Sequence, residues 1–420
     1  MSATDRTTEH VTCLGCGCTC DDIAVVVKGG RIAEARNACA LGQAWFGDGS
    51  VPEETRVKGR TASGERALGE ATKILSGAAR PLVYIAADVA CEAQREAVAI
   101  ADRLRAALDS LAASAAAGVL AAQRRGRAGA TLGELRQRAD VIVFWAVDPG
   151  ERYPRYASRY TVEPRGLETP DGRKSRTVIA VDVGPSRGPA DADTRVAIAP
   201  ADEVDALGVM RATVQDRWRA APDDPRFGPV ADLARRLTQA RYVALVADGE
   251  PGVAPIDPDR AEALVALGQA LNGPTRCALS TLRGGGNRSG ADAVLTWQTG
   301  FPCGVDFARG YPEYRPGVER GTAALLEAGE IDAALVIGSP GSVPEPVARG
   351  LARVPTVVIG PRASAAPFSP AVAIDTGVAG IHESGTAFRM DDVPLPLRLV
   401  LEGPRAAAAT ARALRERLGA

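Results

Sequence analysis

Five of the chain's eight cysteines lie in its first 39 residues, in Cys13-Leu-Gly-Cys16-Gly-Cys18-Thr-Cys20-Asp-Asp-Ile23 and Asn37-Ala-Cys39-Ala-Leu-Gly42. The spacing C-x2-C-x3-C, then eighteen residues, then C is too compact for chance packing. Closely spaced soft thiolates with a more distant fourth ligand suit an iron–sulfur cluster. Cys13, Cys16, Cys20 and Cys39 are the expected ligands of one [4Fe–4S] cluster. Zinc on the same thiols, structural and redox-silent, stays open, as do reduced free thiols in a domain held by packing. Cys18 sits inside the loop and could substitute for a neighbour, but strand-like alternation points it away from Cys16 and Cys20. Cys91, Cys277 and Cys303 are isolated and read as plain core or surface thiols.

Ile23–Val27, the turn Lys28-Gly-Gly30 and Arg31–Ala35 read as a β-hairpin that folds Cys39 back toward the first cysteines. Residues 1–58 form a small Cys-rich β domain, too short for a large core of its own. Lys and Arg total 50 against 51 Asp and Glu, so charge gives no reason to expect nucleic-acid or membrane binding. No apolar run is long enough to span a bilayer, and Met1–His10 lacks an apolar signal core. A cytoplasmic location is expected, and dense cysteines in a reducing compartment favour metal over disulfides.

Beyond Ser63 the pattern alternates. Glu65–Leu75 and Glu92–Leu108 carry helical spacing, and Pro81–Ala86 and Val141–Trp145 are continuous apolar runs suited to buried parallel strands. Residues 203–220 and 229–240 read as further helices, and Ala406–Leu418 as a surface helix. A repeat constrains the architecture most. Ala139–Pro149, Thr177–Asp182 and Val196–Pro200 are matched in order by Ile331–Pro340, Thr356–Pro361 and Val372–Thr376. Either these are two related α/β lobes, or merely two βαβ units that look alike. The first copy carries an extra polar loop, Pro164–Arg176. Arg283-Gly-Gly-Gly286-Asn287 is a glycine-rich loop whose arginines could meet phosphate, though a plain surface loop fits its spacing equally well.

Several stretches together resemble a known family. They are Cys16–Ile23, Cys39–Gly42, Thr131–Glu134 with Arg138–Trp145, Pro154–Tyr160, Val294–Gly300 with Val305–Phe307, and Gly385–Asp391. They resemble the B subunit of formylmethanofuran dehydrogenase, in the molybdopterin oxidoreductase superfamily. The resemblance implies a cluster domain followed by two related parallel-sheet α/β lobes, one inserted in the other. The expected division is 1–58 for the cluster, 59–138 with 236–380 for a discontinuous domain, 139–235 for the insert and 381–420 for a C-terminal segment. It also implies a bis-pterin molybdenum or tungsten cofactor between the lobes.

At the family's catalytic centre the sequence departs. The metal-ligating cysteine and its His-Gly-Pro would fall in Ala113-Ser114-Ala-Ala-Ala-Gly-Val-Leu-Ala-Ala122, which holds neither Cys nor His. A serine hydroxyl is a harder ligand than a thiolate, and no proton relay accompanies it. The family's Gly-Ser-Asp-Pro turn is Gly338-Ser-Pro-Gly341 here, without its carboxylate. The Mo/W-bis-pterin is therefore expected to be absent. A bacterial relative, the formyltransferase/hydrolase complex, uses the same set of polypeptides without redox chemistry. Its B subunit is a scaffold beside the amidohydrolase-like A, the C and the formyltransferase D subunits. Together they move formyl groups between tetrahydromethanopterin, a methanofuran-like carrier and formate. The resemblance implies the scaffold role here; the competing reading is an active dehydrogenase subunit.

Overall fold

Gly29 and Gly30 both take positive φ, 55° and 78°, the two-residue turn whose twist matches the flanking strands. It joins β2 (Ile23–Lys28) to β3 (Arg31–Arg36), and β1 (Arg6–Val11) completes an antiparallel sheet on the other edge of β2. These elements come from a computed structural model that describes residues 5–150, 152–185, 187–219, 225–250, 258–315 and 321–419. Residues 1–4 of the N-terminal stretch and the expected helix end at 220 lie outside them. Among the described residues no helix is long and apolar enough to cross a membrane.

The chain then runs through β4 (Thr55–Val57), β5 (Arg60–Thr61), β6 (Pro81–Ile85) and β7 (Ala107–Ser110). Next come β8 (Val141–Trp145), β9 (Thr177–Val183), β10 (Thr194–Ile198), β11 (Tyr242–Asp248) and β12 (Arg276–Leu282). The last are β13 (Val305–Asp306), β14 (Glu313–Tyr314), β15 (Ala333–Ile337), β16 (Thr356–Gly360), β17 (Val372–Asp375), β18 (Gly385–Phe388) and β19 (Pro394–Leu397). Two compact units result, one of residues 1–113 and 285–420, the other of residues 114–284.

The first unit is built on a sheet ordered β14-β13-β7-β6-β15-β16-β17-β4-β5, parallel from β7 to β17. Every residue of β6, β15 and β16 is buried, as strands covered on both faces require. Val83, Ile85, Leu335, Ile337, Val357 and Ile359 face one apolar layer, and Leu82, Tyr84, Ala334, Val336 and Val358 the other. Each large apolar side chain among them contributes about 1.5–3 kcal/mol by leaving water. The second unit carries the parallel sheet β10-β9-β8-β11-β12 with its own core.

The repeat is present and goes further than the sequence indicated. β8-β9-β10 and β15-β16-β17 are both runs of adjacent parallel strands. β11-β12 flanks β8 as β6-β7 flanks β15, so the two sheets share one spatial arrangement, which in chain order is 2-1-3-4-5 for the first and 3-2-1-4-5 for the second, both doubly wound. Each half of the chain thus gives two strands to one sheet and three to the other.

This pairing moves the expected boundaries. Residues 114–138 and 236–284 belong with the second unit because β11 and β12 pair in its sheet, not with the host domain. β4 lies inside the expected 1–58 domain but pairs with β17 of the large sheet. The C-terminal segment belongs to the first unit, where Thr12 Oγ1 donates to the Pro396 carbonyl at 2.9 Å. The helix expected over 92–108 is Cys91–Leu104. It stops at Arg105 in left-handed conformation (φ 53°), because Ala107–Ser110 is recruited as β7 beside β6. The helix expected over 203–220 ends at Val214. In the Pro164–Arg176 loop, the buried Arg176 guanidinium donates to the carbonyls of Ala139, Pro164 and Arg136 at 3.1, 2.6 and 2.7 Å. The C-terminal helix, Ala407–Arg417, turns Ala407, Ala411 and Leu414 into the core of the first unit.

Candidate metal centre

The cysteine loop joins β1 to β2. The Cys13 amide donates to the Cys20 carbonyl at 2.9 Å, closing its base. Inside, the Thr19 amide donates to the Cys16 carbonyl at 3.1 Å, and Thr19 takes a left-handed φ of 40°. This is a turn rather than a strand, so side chains do not alternate. Cys18 is fully buried and its thiol hydrogen-bonds that of Cys16, contrary to the expectation that it points away; residues two apart share a face even in a strand.

Cys39 is the N-cap residue of the helix Ala40–Phe46 and comes from the far side of the hairpin. A Cβ on Gly42 would stand 3.3 Å from Cys13 Sγ and 4.0 Å from Cys39 Sγ, so these two sulfurs flank a space only glycine leaves open. Burial, and then the nearby Cys16, Cys20 and Cys39 thiols, push the Cys13 thiol above its ordinary range. The other three expected ligands therefore act on Cys13. Deprotonating them together demands a cation, so metal uptake would release protons and weaken in acid. Among the described residues no three His, Cys, Asp or Glu side chains are already gathered around one metal-sized point. The fit to a cluster rests on the donor chemistry, the convergence of the loop on Cys39 and the space over Gly42.

The glycine-rich loop turns out to be a clamp. A Cβ on Gly285 would lie 2.4 Å from the Leu14 carbonyl and 2.8 Å from the Cys16 nitrogen, and the Gly286 amide donates to Leu14 at 2.8 Å. Gly286 (φ 71°) also abuts Ala87, and its carbonyl accepts from the Asp88 amide at 3.1 Å. Asn287, buried and left-handed at φ 63°, donates to the Val89 carbonyl at 2.9 Å and accepts from the Phe388 amide at 3.0 Å. Arg283 does not await phosphate: it is buried, donates to the Ala115 carbonyl at 2.7 Å and lies 3.8 Å from Glu250. The glycines serve backbone contact with the cysteine loop.

Ser114 lies in the short turn Ala113–Ala115 and is exposed, with Ala112, Ala115 and Ala116 buried around it. His382 is buried, and its Nδ1 accepts from the Val378 amide at 3.2 Å, a structural bond. Sequence reasoning missed the carboxylates in the second unit. Asp248 ends β11 and Glu250 lies just beyond it, both 1% exposed, and Tyr153 Oη donates to Asp248 Oδ2 at 3.0 Å. The Asp248-Gly-Glu250 triplet at a strand end beside the sheet's switch point was the available signal.

Burial pushes the Asp248 carboxyl above its usual 3.8, and Glu250 adds to the rise. The folded state then holds that proton more tightly than the unfolded chain. Its contribution to stability is complete below the ordinary value and is lost as pH rises through the raised one. Asp248→Asn is expected to flatten the fall in stability with rising pH, read from urea melts between about pH 4 and about pH 8. Parallel curves for variant and parent would refute the assignment.

In the first unit the switch point, between β6 and β15, is closed by the chain itself. Gly338 (φ 118°) is so near that a Cβ would lie 2.6 Å from the Ala87 carbonyl. Asp88 accepts from Trp45 Nε1 at 3.2 Å and from Ser339 Oγ at 2.8 Å. A carboxylate thus reaches the Gly338–Gly341 turn from the loop after β6 rather than from within the turn.

No family model matches the chain. It is 32% identical over 417 residues to the B subunit of tungsten-containing formylmethanofuran dehydrogenase 2 from Methanocaldococcus jannaschii, covering 95% of each. With the same-named protein of Methanococcus maripaludis it shares 30% over 414 residues, 94% of each. The chain belongs to the family of formylmethanofuran dehydrogenase B subunits. Within that family it is also 30% identical over 287 residues to the B subunit of the formyltransferase/hydrolase complex Fhc from Methylorubrum extorquens, covering 67% of this chain and 74% of that one. Its fold matches a chain in the crystal structure of that complex (FhcABCD) with methylofuran. The TM-score is 0.71 at 26% identity, over 87% of this chain and 98% of the other.

The fold of this family implies a bis-pterin molybdenum or tungsten group, and the residues here do not fit one. Ser114, expected at its ligand position, is exposed among alanines. The arginine of the glycine-rich loop is committed to Ala115 and Glu250, and the Gly338 turn is packed against backbone.

Proposed function

We propose that this chain is a non-redox B subunit serving as the scaffold in a cytoplasmic formyltransferase/hydrolase complex of one-carbon metabolism. The complex handles formyl groups between tetrahydromethanopterin, a methanofuran-like carrier and formate. Transfer belongs to the formyltransferase D subunit and hydrolysis to the amidohydrolase-like A subunit, with the C subunit completing the assembly. The observation that carries this reading is Ser114, exposed in an alanine turn where redox chemistry needs a soft ligand and a proton relay. A cluster on Cys13, Cys16, Cys20 and Cys39 then acts as a structural staple, tying the β1–β2 loop to the helix Ala40–Phe46.

The test is anaerobic copurification with the neighbouring gene products, followed by metal analysis and two assays. Formyl transfer and hydrolysis without molybdenum or tungsten is the expected result. Ser114→Ala should leave both rates within about twofold, since a scaffold residue stabilises no transition state. A second reading, an active dehydrogenase subunit, is favoured by the longer alignment with the tungsten-containing relatives, 95% of this chain against 67%. Stoichiometric molybdenum or tungsten with dye-linked formate oxidation would establish it and remove the first.

A further inference from the structure

We infer that Leu167 is a docking knob that seats in an apolar, acid-rimmed pocket on another subunit of the complex. The inference rests on the complex proposed above and deepens it by naming a contact. Leu167 is 83% exposed, more than any other large apolar side chain among the described residues. A lone exposed leucine is ordinary. What sets this one apart is a loop that leaves it no freedom to turn inward.

The loop is held from both sides. The Leu167 amide donates to Gln137 Oε1 at 3.0 Å and the Glu168 amide to the Gln137 carbonyl at 2.8 Å. Gly166 lies so close to the helix Leu132–Arg138 that a Cβ would stand 2.8 Å from Gln137 Cα. The Glu168 carbonyl accepts from Arg241 Nη2 at 2.9 Å, and Thr169 is fully buried. Farther along, Arg173 donates to both carboxylate oxygens of Asp193, at 3.0 and 2.8 Å. A side chain held out on so rigid a base loses little entropy when a partner covers it, as a binding anchor requires.

The loop's place in the fold leaves it no other task. Small molecules meet such a sheet at the carboxyl ends of its strands, whereas this loop enters β9 at its amino end, where Thr177 donates to the Asp140 carbonyl before β8. The strand connection does not need it either. β8 joins β9 over 146–176, but the same step from β15 to β16 takes only 338–355. The charges indicate the occupant. Arg165 and Arg136 are both exposed, one in the loop and one on the helix end it abuts, and neither guanidinium has an ion-pair partner among the described residues. Glu168 beside Leu167 is answered by Arg241 at 3.5 Å, and Glu163 acts on Arg173. An acidic rim on the partner compensates the two free cations. A second copy of this chain does not, because a two-fold contact through the same patch sets Arg136 and Arg165 against their own kind.

The experiment coexpresses the A, C and D gene products with the tagged parent chain, with Leu167→Asp, or with Arg136→Glu and Arg165→Glu together, and quantifies each subunit after affinity purification. Leu167→Asp is expected to lower one subunit at least about tenfold, and the paired charge reversal to lower the same subunit about threefold. All subunits retained at the parental ratio in Leu167→Asp overturns the inference; retention in the charge reversal overturns the acidic rim and with it the partner named here. Because a variant can lose a subunit by misfolding, a benzophenone photocrosslinker is also placed at position 167 of the intact complex. A crosslink to the subunit that Leu167→Asp loses is expected; a crosslink to a second copy of this chain, or none, overturns the inference. A parent chain that brings down none of the three subunits overturns the complex and this inference together. A parent that brings them down beside an indifferent Leu167→Asp overturns this inference alone.

Discussion

Gly360→Ala is expected to destabilise the first unit by more than about 3 kcal/mol, enough to leave little soluble protein. Gly360 ends β16, and a Cβ there would stand 2.1 Å from the Gly338 carbonyl oxygen and 2.4 Å from its carbon. Both are backbone atoms. Gly338 has no room to retreat, since its own Cβ position lies 2.6 Å from the Ala87 carbonyl. The strain would pass from β16 through β15 to β6, the centre of the sheet. Gly208→Ala is the matched control. It lies in the helix Glu203–Val214 with nothing within 4 Å of its Cβ position, so it should be neutral or gain up to about 1 kcal/mol. Thermal melts of both variants decide the matter. A Gly360→Ala midpoint within about 2 °C of the parent would show that the three strand ends are not packed together.

Asn287→Ala carries the second large effect. Two buried backbone groups, the Val89 carbonyl and the Phe388 amide, would lose their partner, each at about 1–3 kcal/mol. Alanine in a left-handed conformation adds about 1 kcal/mol. The expected total is about 3–7 kcal/mol in urea unfolding. Asn287→Gly relieves only the backbone part, so it should recover about 1 kcal/mol and no more. A loss under about 1 kcal/mol for the alanine variant would mean that those groups find other partners. Asn287 also places the Gly285–Gly286 backbone against the cysteine loop. The alanine variant should therefore lose any bound iron at lower urea than it loses its sheets.

Much of the fold was legible because central parallel strands are continuous apolar runs. Pro81–Ile85, Val141–Trp145 and Thr356–Gly360 could hardly be anything else. The Gly29-Gly30 turn named its own conformation. Strand order was another matter. Nothing local in β11 says that its neighbour is β8 rather than β6, since pairing is decided between residues about a hundred positions apart. Ala107 and Leu108 read as helix because Leu108 continues the apolar spacing of Glu92–Leu108 and no β-branched residue marks a strand, and only pairing with β6 makes Ala107–Ser110 one.

At the site, residue types were readable and conformations were not. The four expected thiols could be named from their spacing, and the departure at Ala113–Ala122 from the family resemblance. The inward turn of Cys18 depends on the left-handed Thr19, which no propensity favours. The role of Gly285 and Gly286 depends on what passes beside them, and that segment lies some 270 residues away in sequence.

The crossed pairing of the two halves also sets a timetable for synthesis. All five strands of the 114–284 unit are contiguous, so its sheet can close as soon as β12 leaves the ribosome. β6, with β7 beside it, emerges earlier but finds its neighbour β15 only after Ala333 is made. At about 5–20 residues per second, that interval is roughly 11–45 seconds. During it, Leu82, Val83 and Ile85 have no partner sheet, and the first domain begun is the last one finished.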